Sequence, residues 1–147
     1  MTEKENKELA RHGFNDLNEI GGDVAKIRRW YEKYSVPSAI YHGLSGDTNF
    51  EQQIQIMSEY SVFSDLKFII DDIMADGNKV ILRYTMQFTH NKAFKGIPAT
   101  GKLISVKGVE IFIIAQGKVV EAWDYPDNLG AMTQLGVIPG AASKKYN

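Results

Sequence analysis

The chain has 147 residues, 44% hydrophobic and 24% charged, which is enough for one domain with a real core. Its 17 Lys and Arg balance 18 Asp and Glu, which excludes a protein built mainly to grip a phosphate backbone. It has no cysteine, which excludes thiolate catalysis, disulfides and Cys-type zinc sites, and the scattered His12, His42 and His90 argue against a histidine metal centre. No apolar run approaches the ~20 residues of a membrane helix. The charged start MTEKENKELA lacks the apolar stretch of a signal peptide. The expectation is a soluble, cytoplasmic, single α+β domain spanning 1–147.

Residues 3–20 read as a helix, with Leu9, Ala10, Phe14, Leu17 and Ile20 recurring at helical steps, and Gly21-Gly22 ends it. Asp23 caps a second helix that carries Val24, Ile27, Tyr31 and Tyr34 on one face. Lys26, Arg28, Arg29 and Lys33 take the other face, and the plain reading of them is a solvated surface. Pro37 closes that helix, because the residue before a proline disfavours the helical conformation. A short extended piece and a loop holding His42 follow. Thr48 to Glu51 read as a capping box for a third helix, which buries Phe50, Ile54 and Met57 and runs to Tyr60.

Four segments rich in β-formers come next: 66–74, 79–90, 102–115 and 118–125. Turns at Ala75–Asn78 and Ala115–Gly117, and a longer loop between His90 and Lys102, join them. Asp127 caps a last short helix around Leu129, Met132 and Leu135, stopped by Gly136 and Pro139. Helices followed by an antiparallel four-stranded meander predict an α+β fold with the helices on one face of a curved sheet.

The final hairpin carries the chemistry. A three-residue Ala-Gln-Gly loop with glycine in the left-handed conformation pairs Ile114 with Lys118, Phe112 with Val120 and Glu110 with Ala122. Glu110 and Asp124 then share a face as diagonal neighbours, about 7–8 Å apart at the backbone. A two-residue loop alone places them on opposite faces. On the shared face Phe112, Val120 and Ala122 surround them with apolar surface. Desolvation and mutual repulsion there hold one carboxyl protonated, giving an acid and a base. The plainer alternative is a pair of carboxylates at a solvated rim. The opposite face carries Val109, Ile111, Ile113, Val119 and Trp123 with one charge, Glu121. Two apolar faces predict a homodimer through the sheet. His42 and His90 read most plainly as hydrogen-bonded histidines. No phosphate-binding glycine loop and no GxSxG nucleophile elbow is present.

The stretch FKGIPATGK (94–102) resembles the GIPPTG loop of SnoaL-like polyketide cyclases. GVEIF (108–112), GKVVEAW (117–123), Asp127–Gly130 and Gln134–Gly136 follow in that family's order. Phe63–Leu66 and Thr89-His90 resemble its upstream steps, and the likeness spans about residues 5–139. The resemblance implies a cone-shaped barrel of the nuclear transport factor 2 type, with an apolar cavity between helices and sheet, and a homodimer. It also implies an intramolecular aldol ring closure needing no metal or cofactor, with an aspartate after the last long strand's tryptophan as acid/base. That aspartate falls on Asp124. The family's partner histidine is Glu110 here, and Ser64, Lys92 and Ala99 also depart from the pattern.

Together these readings predict a cofactor-free cyclase acting on a small apolar carbonyl substrate. Asp124 serves as base, Glu110 as proton donor and His42 as an assistant at the cavity mouth, while Tyr31, Phe88, Phe94, Phe112 and Met132 form the walls. The alternatives are a non-catalytic small-molecule-binding dimer and an isomerase of the ketosteroid type.

Overall fold

The computed structural model describes residues 1–21, 23–44 and 46–139. Helix α1 (Glu3–Asp16) starts at a capping box between Thr2 and Glu5 and runs into a 3-10 turn, Leu17–Glu19. Helix α2 (Val24–Tyr34) is capped by Asp23, whose carboxylate accepts from the Ala25 and Lys26 amides. Its predicted face is buried at Ile27, Tyr31 and Tyr34, whereas Val24 is exposed. Helix α3 (Phe50–Tyr60) begins one residue later than its capping box was expected. Asn49 and Gln52 make the reciprocal bonds, and Thr48 instead accepts from the Gln53 amide group. Both Thr48 and Asn49 can cap, so the motif alone leaves a one-residue ambiguity.

The sheet has six strands where four were expected. Strand β1 (Ser35–Gly43) and the short β2 (Gly46–Thr48) precede α3, and β3 (Lys67–Asp76), β4 (Lys79–Thr89), β5 (Leu103–Ala115) and β6 (Lys118–Pro126) follow it. The order across the sheet is β2-β1-β6-β5-β4-β3. The four predicted strands form the antiparallel meander, and β1 adds to β6 in parallel. Pro37 hides β1 from a sequence reading. It has no amide hydrogen to give a ladder, and the β1–β6 register is irregular between Ser35 and Ile40, where it lies.

The sheet is curved and unclosed, with α1, α2 and α3 packed into its concave side. Phe14, Ile27, Phe50, Ile54, Leu82 and Ile104 are among the buried residues that join the two layers. Helix α4 (Asn128–Gln134) is capped by Asp127 and anchored by the Gln134 side chain, which bonds the Ser105 amide and carbonyl. No helix among the described residues is long and apolar enough to cross a membrane.

The β5–β6 hairpin corrects one expectation and strengthens the conclusion drawn from it. The loop has two residues, Gln116 and Gly117, with Ala115 opposite Lys118. Both have positive φ (52° and 78°), the pattern of a type I′ turn. The register then shifts between Ile114–Val119 and Ile113–Glu121, leaving Val120 as a bulge. The bulge reverses the effect of the shorter loop. Glu110 therefore stands directly opposite Asp124, and Phe112 opposite Ala122. Val119, expected on the other face, turns inward across from Ile114 in place of Val120.

Candidate active site

Between helices and sheet lies a cavity of about 400 Å³. Alternation along the strands decides what enters it. From β5 come Glu110 and Phe112, from β6 Ala122 and Asp124, from β4 Tyr84 and from β1 Tyr41. Helices α2 and α3 add Trp30, Tyr31 and Tyr60. The walls are thus aromatic with phenol tips, while exposed Leu44, Ile56 and Lys95 line the rim.

The two carboxyls sit side by side in this apolar space. Burial raises Glu110 well above the usual carboxylate range, and the neighbouring Asp124 charge raises it further. Burial lifts Asp124 to about 6, against the opposing effect of a hydrogen bond donated by the Tyr84 hydroxyl to Oδ1 at 2.8 Å. Both carboxyls are raised, so the pair titrates as a unit and retains a proton where two ordinary carboxyls are both charged, which lets it offer an acid and a base together. Lys95 at the rim is the one lysine or arginine among the lining residues. Its ammonium lies over the Tyr60 and Phe94 rings, 5.5 and 5.4 Å from their centroids. Tyr31, Tyr41, Tyr60 and Tyr84 all have raised phenol pKa values, burial being the first cause in each. They remain neutral donors beside the acids.

His42 is not brought to the pair. Its register partner in β6 is Trp123, which faces away from the cavity, and its ring stacks on that indole at 5.0 Å. Nε2 lies 2.7 Å from Glu121 and Nδ1 2.6 Å from Asp47. These two carboxylates, Glu121 first, raise its pKa above the ordinary histidine value. His42 is among the residues that line the cavity, but both its ring nitrogens are held by Glu121 and Asp47 rather than turned to the acid pair.

Of the expected wall residues, Tyr31 and Phe112 line the cavity. Phe88 and Phe94 do not. They pack with Phe63 in the hydrophobic core away from the cavity, where Phe63 and Phe88 stack at 4.4 Å and Phe94 meets Phe63 edge-on. Their role is indirect: Phe94 supports the ring of Tyr60, which does line the cavity. Met132 also lies outside it, exposed on α4, because α4 packs through Ala131 and its C-cap residue Leu135 instead. His90 is buried at the base of the loop that follows β4, where its Nδ1 accepts from the Thr100 amide. Its carbonyl takes the Thr100 and Gly101 amides.

The sequence reading missed Tyr41, Tyr60 and Tyr84. One signal for Tyr84 was present: a glycine inside strand β5 marks a close approach by another group. No group of three or more metal-ligating side chains is assembled among the described residues.

A concave helix layer on a curved sheet, with an apolar cavity holding an acid pair, defines a class of small-molecule site. Residues 23–135 match the SnoaL-like polyketide cyclase family, and the chain belongs to it. No curated protein shows significant similarity to the chain. Among solved structures it is similar to AclR of Streptomyces galilaeus, described as a candidate hydroxylase (26% identity, 98% of this chain and 92% of that one, TM-score 0.83). It is similar also to TsrD of Streptomyces laurentii (26% identity, 94% and 99% covered, TM-score 0.77). IdmH of Streptomyces antibioticus, described as a candidate polyketide cyclase, shares the fold (22% identity, 89% and 98% covered, TM-score 0.74).

Proposed function

We propose that the protein is a cyclase that closes a ring by intramolecular aldol addition within a small, apolar, carbonyl-rich substrate, using its carboxyl pair without a cofactor. The observation that carries this reading is the direct pairing of Glu110 and Asp124 inside an aromatic cavity. Asp124, ionised near neutral pH, removes a proton from a carbon flanked by carbonyls. The resulting enolate attacks a second carbonyl held nearby, forming the new carbon–carbon bond. Glu110, still protonated, hydrogen-bonds the developing alkoxide and delivers its proton. Glu110 is suited to act as a carboxylic acid donor because burial and the neighbouring Asp124 favour its neutral form. Tyr31 and Phe112 hold the flat substrate, and confinement of the two reacting carbons supplies much of the rate.

The test is ring closure of a synthetic polyketide ester by the purified protein and by Asp124→Asn. The variant is expected to lose at least ~100-fold in turnover while still binding the ester. Near-normal turnover in that variant removes Asp124 from the chemistry. The likeness to AclR favours a second reading, oxygen insertion. Dioxygen uptake during turnover distinguishes it from ring closure. We further propose that two copies associate through the convex face, where Val109, Ile111, Ile113 and Trp123 are only half-buried in one chain. Light scattering of Ile111→Glu is expected to show a monomer where the unmodified chain is a dimer.

A further inference from the structure

Gly108 lies in the middle of β5, where glycine is a poor choice for a strand. Its φ is not positive, so the backbone does not demand it. It is not a turn, and its register partners, Tyr84 in β4 and Pro126 in β6, continue the ladders on both sides. What requires it is the Tyr84 ring. A Cβ at position 108 would lie 2.5 Å from Tyr84 Cζ, 2.5 Å from its hydroxyl and 2.8 Å from Cε1. The phenol therefore lies flat across the β5 backbone.

That posture has a geometric purpose. Tyr84 and Asp124 stand on strands separated by β5, and neighbouring strands are about 4.8 Å apart. A side chain standing upright on β4 points into the cavity and away from β6. Only a ring laid over the middle strand brings the hydroxyl to Asp124 Oδ1, at 2.8 Å. Phe14 holds the ring from the helix side, with centroids 5.5 Å apart. The contact fixes one carboxylate oxygen of a side chain that lines the cavity.

We infer that Gly108 and Tyr84 form one positioning unit, in which the missing side chain of the first lets the second reach over β5 and hold the Asp124 carboxylate in the orientation that accepts a proton. This rests on the reading of Asp124 as the base, and it adds two residues that need not touch substrate. The unit also sets the pH at which the base works. The donated hydrogen bond favours the ionised form of Asp124 against the burial that disfavours it.

Two variants remove the contact by independent routes: Tyr84→Phe deletes the hydroxyl, and Gly108→Ala displaces the ring while leaving every titratable group in place. Each is expected to raise the Asp124 titration midpoint by about one to two pH units, the scale of one hydrogen bond to a charged group. The readout is carboxyl carbon NMR on the folded protein without substrate. With substrate, the acid limb of the pH–rate profile should move by the same amount. The double variant should move it no further than either single one. A midpoint unchanged in both folded single variants overturns the inference. Should Gly108→Ala fail to fold, Tyr84→Phe decides alone. The steric half has its own check: Gly108→Ala should lower the melting temperature in the natural background and leave it unchanged in a Tyr84→Leu background, where no ring crosses the glycine. Equal losses in both backgrounds overturn it. Because the NMR midpoint needs no turnover, an unshifted midpoint refutes the positioning unit, whereas a shifted midpoint with an active Asp124→Asn refutes only the cyclase reading.

Discussion

Strand β6 carries one acidic side chain to each side of the sheet. Asp124 enters the cavity beside Glu110, while Glu121 lies on the convex side against His42 and Asp47. Among the described residues, the inner pair meets aromatic and aliphatic surface and the tips of phenols, with no lysine or arginine against it. The outer group sandwiches an imidazole between two carboxylates in partial contact with water. Burial without a counter-charge pushes the inner acids toward neutrality. On the outside the two carboxylates instead raise the histidine, Glu121 first. The same residue types thus become reactive on one side and structural on the other, and their surroundings account for the difference.

The sharpest way to break the inner side is Asp124→Asn. Besides the ~100-fold loss of turnover, it should lower the Glu110 midpoint toward its ordinary value, since the Asp124 charge is one of the two causes that raise it. Glu110→Gln should leave Asp124 near its value of about 6, because its lift comes from burial. Carboxyl NMR on the two variants reads this asymmetry.

A stability difference comes next. Asp124 is raised from 3.8 to about 6 on folding, so the folded chain binds more protons than the unfolded one between those values, and stability falls as pH rises through that window. Asp124→Asn lacks this penalty. It should match the natural chain near pH 3.5 and exceed it at pH 8 by up to about 3 kcal/mol in urea unfolding. An equal margin at both pH values contradicts the buried-charge account. Glu110 adds a further fall at higher pH, which Glu110→Gln should remove.

The outer side should yield smaller effects. Glu121→Gln is expected to bring the His42 midpoint down toward about 6.5 in imidazole NMR, with turnover within about twofold of the natural chain. The sign is opposite to that inside: the raised His42 pKa contributes stability that is present at low pH and is lost as pH climbs through its folded midpoint.

The sequence made much of this legible because burial leaves periodic traces. Helices α1 to α3 showed their apolar stripes, and the four meander strands their β-branched and aromatic runs. The resemblance over the loop at 94–102 and the GKVVEAW strand pointed to the family and to Asp124. What escaped was nonlocal. Strand β1 joins the main sheet only through β6, far along the chain, its other neighbour being the three-residue β2, and Pro37 disguises it. The packing of Phe88 and Phe94 on Phe63, away from the cavity, depends on the loop after β4, which no period reveals. The turn at Gln116-Gly117 was taken as longer than it is, because glycine in a left-handed conformation suits both loop lengths. The bulge at Val120 made that error harmless.

That bulge makes the geometry of the acid pair depend on a residue that belongs to neither acid. Because successive side chains alternate, the same residues closed over the same turn without the bulge would set Trp123 opposite Glu110, turning Asp124 out into water and the indole inward. Removal of Val120 itself would leave Asp124 opposite Glu110, because the deletion takes out the extra residue together with the irregularity it makes. The site can therefore be silenced by smoothing one irregularity, with every acid and phenol still encoded.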